Sequence, residues 1–172
     1  MALIKDRKLA LDNWQLLEAP AEGARLEIPA SRDVIVPLEA WRRLRVDLPG
    51  RDEGRRGVLL SGADDPQELV PDLDRLSVIA VQFASFTDGR GYSIGRLLRD
   101  RYVYRGELRA IGDIQRDQIF YLMRCGFDAF ELRPGEEVTA ALAAFEDFSE
   151  PYQAAVDRPV PLFRRRDAAA RA

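Results

Sequence analysis

Between residues 85 and 93 the sequence reads Ser85-Phe86-Thr87-Asp88-Gly89-Arg90-Gly91-Tyr92-Ser93, two glycines around one arginine with hydroxyls at both ends. Glycine lets a backbone come close to a ligand, and free N–H groups at a helix start attract anions. Ser85, Thr87, Gly89, Arg90, Gly91 and Ser93 are therefore candidates for holding a small oxyanion: sulfite, sulfate, phosphate or a carboxylate. The plainer reading is a tight turn at Asp88-Gly89 and a helix cap at Ser93. A second cluster, Gly112, Asp113, Arg116, Asp117 and Gln118, has the same character, and Ser61, Gly62, Glu131 and Arg133 extend it. Proton transfer would fall to Asp88, Asp113, Glu131 or Tyr92, and charge stabilisation to Arg90 or Arg116. Asp88, Asp113 and Glu131 close three successive apolar runs, a placement from which oxygen ligands can converge on Mg²⁺, although helix capping accounts for Asp113 equally well. Gly89-x-Gly91 followed by Gly95 misses the dinucleotide fingerprint by one residue, and Asp88 would put a negative charge beside the pyrophosphate.

What is missing narrows the chemistry further. The 172 residues include no histidine and one cysteine. That excludes Ser-His-Asp and Cys-His triads, histidine-ligated zinc or haem, an internal disulfide, a C-x-x-C redox pair and a cysteine-held iron–sulfur cluster. Cys125 ends a helical pattern before Gly126, a position that does not favour a thiolate, so it reads as a packing residue. The two lysines, Lys5 and Lys8, are both N-terminal, which leaves none for a Schiff base at the candidate site. No cofactor is assignable. The net charge is −3, and many of the 24 arginines stand beside acids, which describes a solvated, salt-bridged surface and not a nucleic-acid interface. The opening Met1-Ala2-Leu3-Ile4-Lys5-Asp6-Arg7-Lys8 lacks the apolar core of a secretory signal, and the best apolar run, Leu76 to Phe86, is strand-sized. These features predict a cytoplasmic protein with no membrane or nucleic-acid partner.

The candidate residues need elements to position them. From residue 33 onward short β-branched runs alternate with amphipathic stretches, a βαβα rhythm of about five units. Asp33 to Leu38, Arg56 to Gly62, Ser77 to Phe86, Glu107 to Gly112 and Phe127 to Leu132 are the expected strands, with Ser77 to Phe86 central because it is nearly continuously apolar. Helices are expected after Pro37, after the Asp65-Pro66 cap, from Tyr92 to about Tyr104, from Ile114 to Cys125, and from Pro134 to Phe145 or Phe148. The expected fold class is α/β, a parallel sheet that is either open and doubly wound or an incomplete TIM-like barrel. In both, ligands bind beyond the carboxyl ends of the strands. Residues 1–150 form one domain, with residues 33–150 as βα core. Residues 1–32 read as a small β-hairpin extension, Ala2-Leu3-Ile4 against Trp14 to Leu17 with a turn at Asp12-Asn13. Residues 151–172 read as an irregular tail.

Phe83 to Ser93, Leu97-Leu98-Arg99, Tyr104 to Asp113, Asp117-Gln118 and Arg124 to Leu132 together resemble the DUF934 family of bacterial proteins, described as oxidoreductases of sulfite reduction. The dense likeness covers about residues 80 to 133, and Leu3-Ile4-Lys5 and Trp14 fit the family's opening pattern. The resemblance implies a protein of bacterial assimilatory sulfur metabolism, typically encoded near sulfite reductase. It carries over Phe86 to Ser93, Arg109, Gly112, Asp113, Asp117 and Gln118 as the functional surface, without catalytic roles. Oxidoreductase sits poorly with the residues, because reducing sulfite to sulfide takes six electrons and hence a redox centre. The expected function is an accessory protein of sulfite reduction that binds a small oxyanion or the reductase itself. The alternative is an enzyme, an oxidoreductase or a Mg²⁺-dependent one, acting on a small anionic metabolite in a barrel-like site at the same strand ends.

Overall fold

The computed structural model describes residues 1–18, 26, 28–29, 32–45 and 54–169. Its centre is an eight-stranded sheet: β1 (Leu3–Lys5), β2 (Lys8–Ala10), β3 (Gln15–Leu16), β4 (Val34–Pro37), β5 (Arg56–Leu60), β6 (Val78–Phe83), β7 (Glu107–Gly112) and β8 (Ala129–Glu131). The strand order is β2-β1-β8-β7-β6-β5-β4-β3. Strands β3 to β8 are parallel neighbours in chain order, while β1 runs antiparallel to β8 and β2 antiparallel to β1.

That order departs from the doubly wound architecture. A doubly wound sheet reverses its strand order partway so that helices cover both faces. Here the order never reverses, and right-handed crossovers then place every helix on one side. Alternate strand residues confirm it: Val58, Leu60, Ile79, Val81, Phe83, Leu108 and Ala110 share one core with the helical residues Trp41, Leu69, Leu98, Ile119, Leu122 and Phe145. The opposite parity, Ile35, Val78, Ala80 and Ile111, forms a separate smaller cluster under Trp14. A flat eight-stranded sheet would be about 34 Å wide. The four residues 11–14 join its two edge strands, and they reach at most about 18 Å. The sheet therefore curls into a half-barrel, mixed and larger than five parallel βα units.

The N-terminal hairpin is built differently from expectation. Its second strand is β2, and its turn is Asp6-Arg7, both with positive φ (50° and 60°). Asp12-Asn13 is no hairpin turn but part of the strap to β3, which pairs with β4 at the far edge. The hairpin is also part of the sheet, because Leu3, Ile4 and Lys5 pair with Glu131, Phe130 and Ala129.

The helices are α1 (Leu38–Leu44), α2 (Arg90–Arg96), α3 (Ile119–Arg124), α4 (Val138–Ala143) and α5 (Leu162–Ala169). Asp65 caps as its position predicts, accepting from the Gln67 N–H at 2.9 Å, but Pro66–Arg75 is a 3₁₀ segment. Pro71, inside it, has no N–H to give an α-helical bond. Helix α2 passes into a π-helical turn, Leu97–Arg101, and α5 gives regular structure within the segment expected to be irregular.

Candidate functional site

The strand β6 stops at Phe83, so Ala84, Ser85, Phe86 and Thr87 stand out as an exposed loop at its carboxyl end. The loop after β7 runs alongside and holds it. Asp113 accepts from the Phe86 N–H at 2.9 Å, and its own N–H donates to the Phe83 carbonyl at 2.8 Å. The Gln118 amide is bonded at both its ends: its oxygen accepts from the Gln115 N–H at 2.8 Å, and its nitrogen donates to the Phe86 carbonyl at 3.2 Å and to the Tyr92 hydroxyl at 3.0 Å. Gln118 is itself buried. Gly112 makes this approach possible, since its φ is +97° and a Cβ there would meet the Phe83 carbonyl oxygen at 2.4 Å.

The charged candidates are paired within the rim. Arg90 donates to both oxygens of Asp88 (2.9 and 2.7 Å), and the Asp88 carboxylate also accepts from the Arg90 backbone N–H. The Arg90 hydrogen bonds hold the Asp88 carboxyl at about 2, well below the usual aspartate range. Arg133 bridges Asp113 (2.8 Å) and Glu136 (2.5 Å), and Arg116 grips Asp147 with both terminal nitrogens (2.9 and 2.5 Å). Ser61 bonds Asp64 through both its N–H and its hydroxyl. Ser85 and Thr87 hydroxyls lie 3.1 Å apart. Tyr92 is half-buried, its ring 5.3 Å from Phe83 and 5.2 Å from Tyr121, and burial raises its pKa, so the hydroxyl stays protonated.

Three expectations change. Helix α2 begins at Arg90, which puts Ser93 inside its first turns and not at its start, and Asp88 already occupies the free N–H there. Gly91 serves packing, because a Cβ on it would meet the Phe83 ring at 2.6 Å. Asp88, Asp113 and Glu131 do not converge: among the described residues no group of three or more acidic or thiol side chains is placed to hold a metal. Asp117 and Gly89 are exposed at the rim.

The concave face joins two of the expected residues, Arg109 and Glu131, to three that the sequence did not single out, Lys5, Asp12 and Glu107. Successive layers across β6, β7 and β8 carry Gln82, Ile111 and Glu131, then Ala80, Arg109 and Ala129, then Val78 and Glu107. Arg109 is 2% exposed, flanked by two alanines, and bonds Glu107 at 2.7 Å and Asp12 of the strap at 2.8 Å. Its Nη2 has no hydrogen-bonded acceptor, although Glu107 lies within ion-pair distance. Lys5 reaches Glu107 at 2.7 Å, and burial raises the Glu131 carboxyl pKa. The signal was legible: Glu107 and Arg109 alternate with Leu108 and Ala110 in a central parallel strand, where both faces are normally apolar.

Fold and rim together define a mixed α/β half-barrel protein whose exposed loops converge at the carboxyl ends of its strands. The chain belongs to the DUF934 family, bacterial proteins of unknown function, whose model matches residues 57–163. No curated protein and no solved structure matches it. No described helix is long and apolar enough to cross a membrane.

Proposed function

We propose that this chain is an accessory protein of bacterial assimilatory sulfite reduction that docks on sulfite reductase through the rim formed by residues 85–93 and 112–118. The resemblance supplies the pathway. The carrying observation is that the two loops are locked to each other through Gln118 and Asp113 while Phe86, 40% exposed, and Arg90 face outward. Aromatic residues and arginine are enriched at protein–protein interfaces, and a pre-ordered loop lowers the cost of docking them. Small-oxyanion capture fits less well, because Arg90, Arg116 and Arg133 each already hold a carboxylate. The test is calorimetric titration of sulfite reductase with this protein. Saturable binding that Phe86→Ala and Arg90→Ala each weaken about tenfold or more supports the reading. No binding by the unaltered chain overturns it.

The concave face favours a second reading, an enzyme acting on a small anionic metabolite. Asp88, held ionised, is a poor proton donor, whereas Glu131 has a raised pKa and shares its layer with the exposed Gln82 above Arg109. Turnover of an anionic substrate lost in Glu131→Gln, with reductase binding unchanged, would select this reading over the first.

A further inference from the structure

At the amino ends of β6 and β7, at the opposite end of the strands from the rim, lies a cavity of about 400 Å³. That is within the size range of small-molecule sites. Its lining mixes polar surface with apolar and aromatic side chains: Val70, Leu73 and Leu76 from the 3₁₀ segment and its end, and Tyr102, Val103 and Tyr104 from the chain leading into β7. Two charged side chains also line it, Asp74 on one wall and Arg105 on the other. Both are exposed, and among the described residues neither has an ion-pair partner, the other included.

The backbone is unusual at the same place. The π-helical turn Leu97–Arg101 ends with the Tyr104 N–H bonded to the Leu98 carbonyl at 2.9 Å, which sets Val103 in the left-handed position (φ 57°) where helix ends normally carry glycine. A β-branched residue is strained there. Glycine would give the same turn without strain, but it would remove the Val103 side chain from the cavity wall. π-helical turns recur at functional sites.

We propose that this cavity binds a free α-amino acid with an aliphatic or aromatic side chain. Arg105 takes the carboxylate, Asp74 takes the ammonium group, and the Val70, Leu73, Val103 and tyrosine walls take the side chain. Opposite charges on the two sides of one cleft match a zwitterion and leave one pole unmet for a simple carboxylate or a simple amine. The Arg99 guanidinium fixes the floor, donating to the carbonyls of Tyr104 and Gly106, each at 2.8 Å, and stacking on the Tyr104 ring.

The experiment is titration of the full chain with L-leucine and L-phenylalanine, alongside 4-methylpentanoate, which lacks the ammonium group, and 3-methylbutylamine, which lacks the carboxylate. Saturable millimolar or tighter binding of an amino acid is expected, with both truncated analogues about tenfold weaker or worse. Arg105→Ala should weaken the amino acid but not the amine, and Asp74→Asn should weaken the amino acid but not the carboxylate. Val103→Gly should weaken the amino acid while raising the melting temperature. Amide shifts should move at Val103 and Tyr104 and stay still at Phe86 and Tyr92. The proposal is overturned by absence of saturable binding, by an analogue that binds as tightly as the amino acid, or by shifts that cluster at the rim.

Discussion

The Gln118 amide nitrogen lies 3.0 Å from the Tyr92 hydroxyl, which ties the loop after β7 to the helix after β6 across 26 residues of sequence. The same nitrogen reaches the Phe86 carbonyl. Phe86 is thus exposed yet held at its backbone from two sides, by Gln118 and by Asp113. An exposed aromatic on an untethered loop would lose much of its binding energy to ordering, and these bonds reduce that cost.

Replacing Gln118 by alanine should therefore act twice. Three hydrogen bonds of a buried side chain disappear, and the chain should lose about 1–3 kcal/mol of stability by denaturant unfolding. Reductase binding should weaken although Gln118 is not itself on the outer surface. Gln118→Glu, which keeps the acceptor for Gln115 but not the donors, should reproduce the binding defect.

Asp88 gives a pH signature. Its folded pKa of about 2 lies below that of an ordinary aspartate, about 3.9. The stabilisation from its pairing with Arg90 is therefore complete above the unfolded value and is lost as pH falls through about 2. Carboxyl-carbon NMR should show this low midpoint, and Arg90→Gln should move it up toward the ordinary range. An unshifted Asp88 in the unaltered chain would contradict the pairing.

Val103, 51% exposed and at φ 57°, should be a site of easy stabilisation. Val103→Gly or Val103→Asn relieves left-handed strain of about 1–2 kcal/mol, partly offset for glycine by the greater freedom of its unfolded chain. Thermal unfolding should show an increase for the asparagine variant.

On the concave face, Arg109→Ala should destabilise by about 1–3 kcal/mol, because it removes the buried partner that Glu107 and Asp12 share and leaves Glu107 paired with Lys5 alone. The double change Arg109→Met with Glu107→Leu should recover much of that loss. A double variant as unstable as Arg109→Ala would show that packing, and not charge, decides this face.

The central parallel strands were legible in the sequence because burial on both faces leaves runs such as Val78 to Phe83 almost without polar interruption. The hairpin was not. Its turn, Asp6-Arg7, lacks the glycine or asparagine that usually marks two positive-φ residues, while Asp12-Asn13 looks like a turn and instead crosses the sheet. Helix type was equally hidden, since the cap at Asp65 is local but the α or 3₁₀ outcome depends on Pro71. For the site, the rim loops could be located from the strand ends, but their mutual lock joins Phe86 to Asp113 and Gln118, 27 and 32 residues away, and leaves no local pattern. The pairing of Arg90, Arg116 and Arg133 with acids was foreseeable in kind, from the mixing of charges, but not in its partners.

The most direct test is sulfide production from sulfite by the host's sulfite reductase with its physiological electron donor, measured with and without a stoichiometric amount of this protein. The account predicts faster turnover with the protein, and a loss of that gain when Phe86→Ala replaces it. Equal rates with and without the unaltered chain would contradict the accessory role.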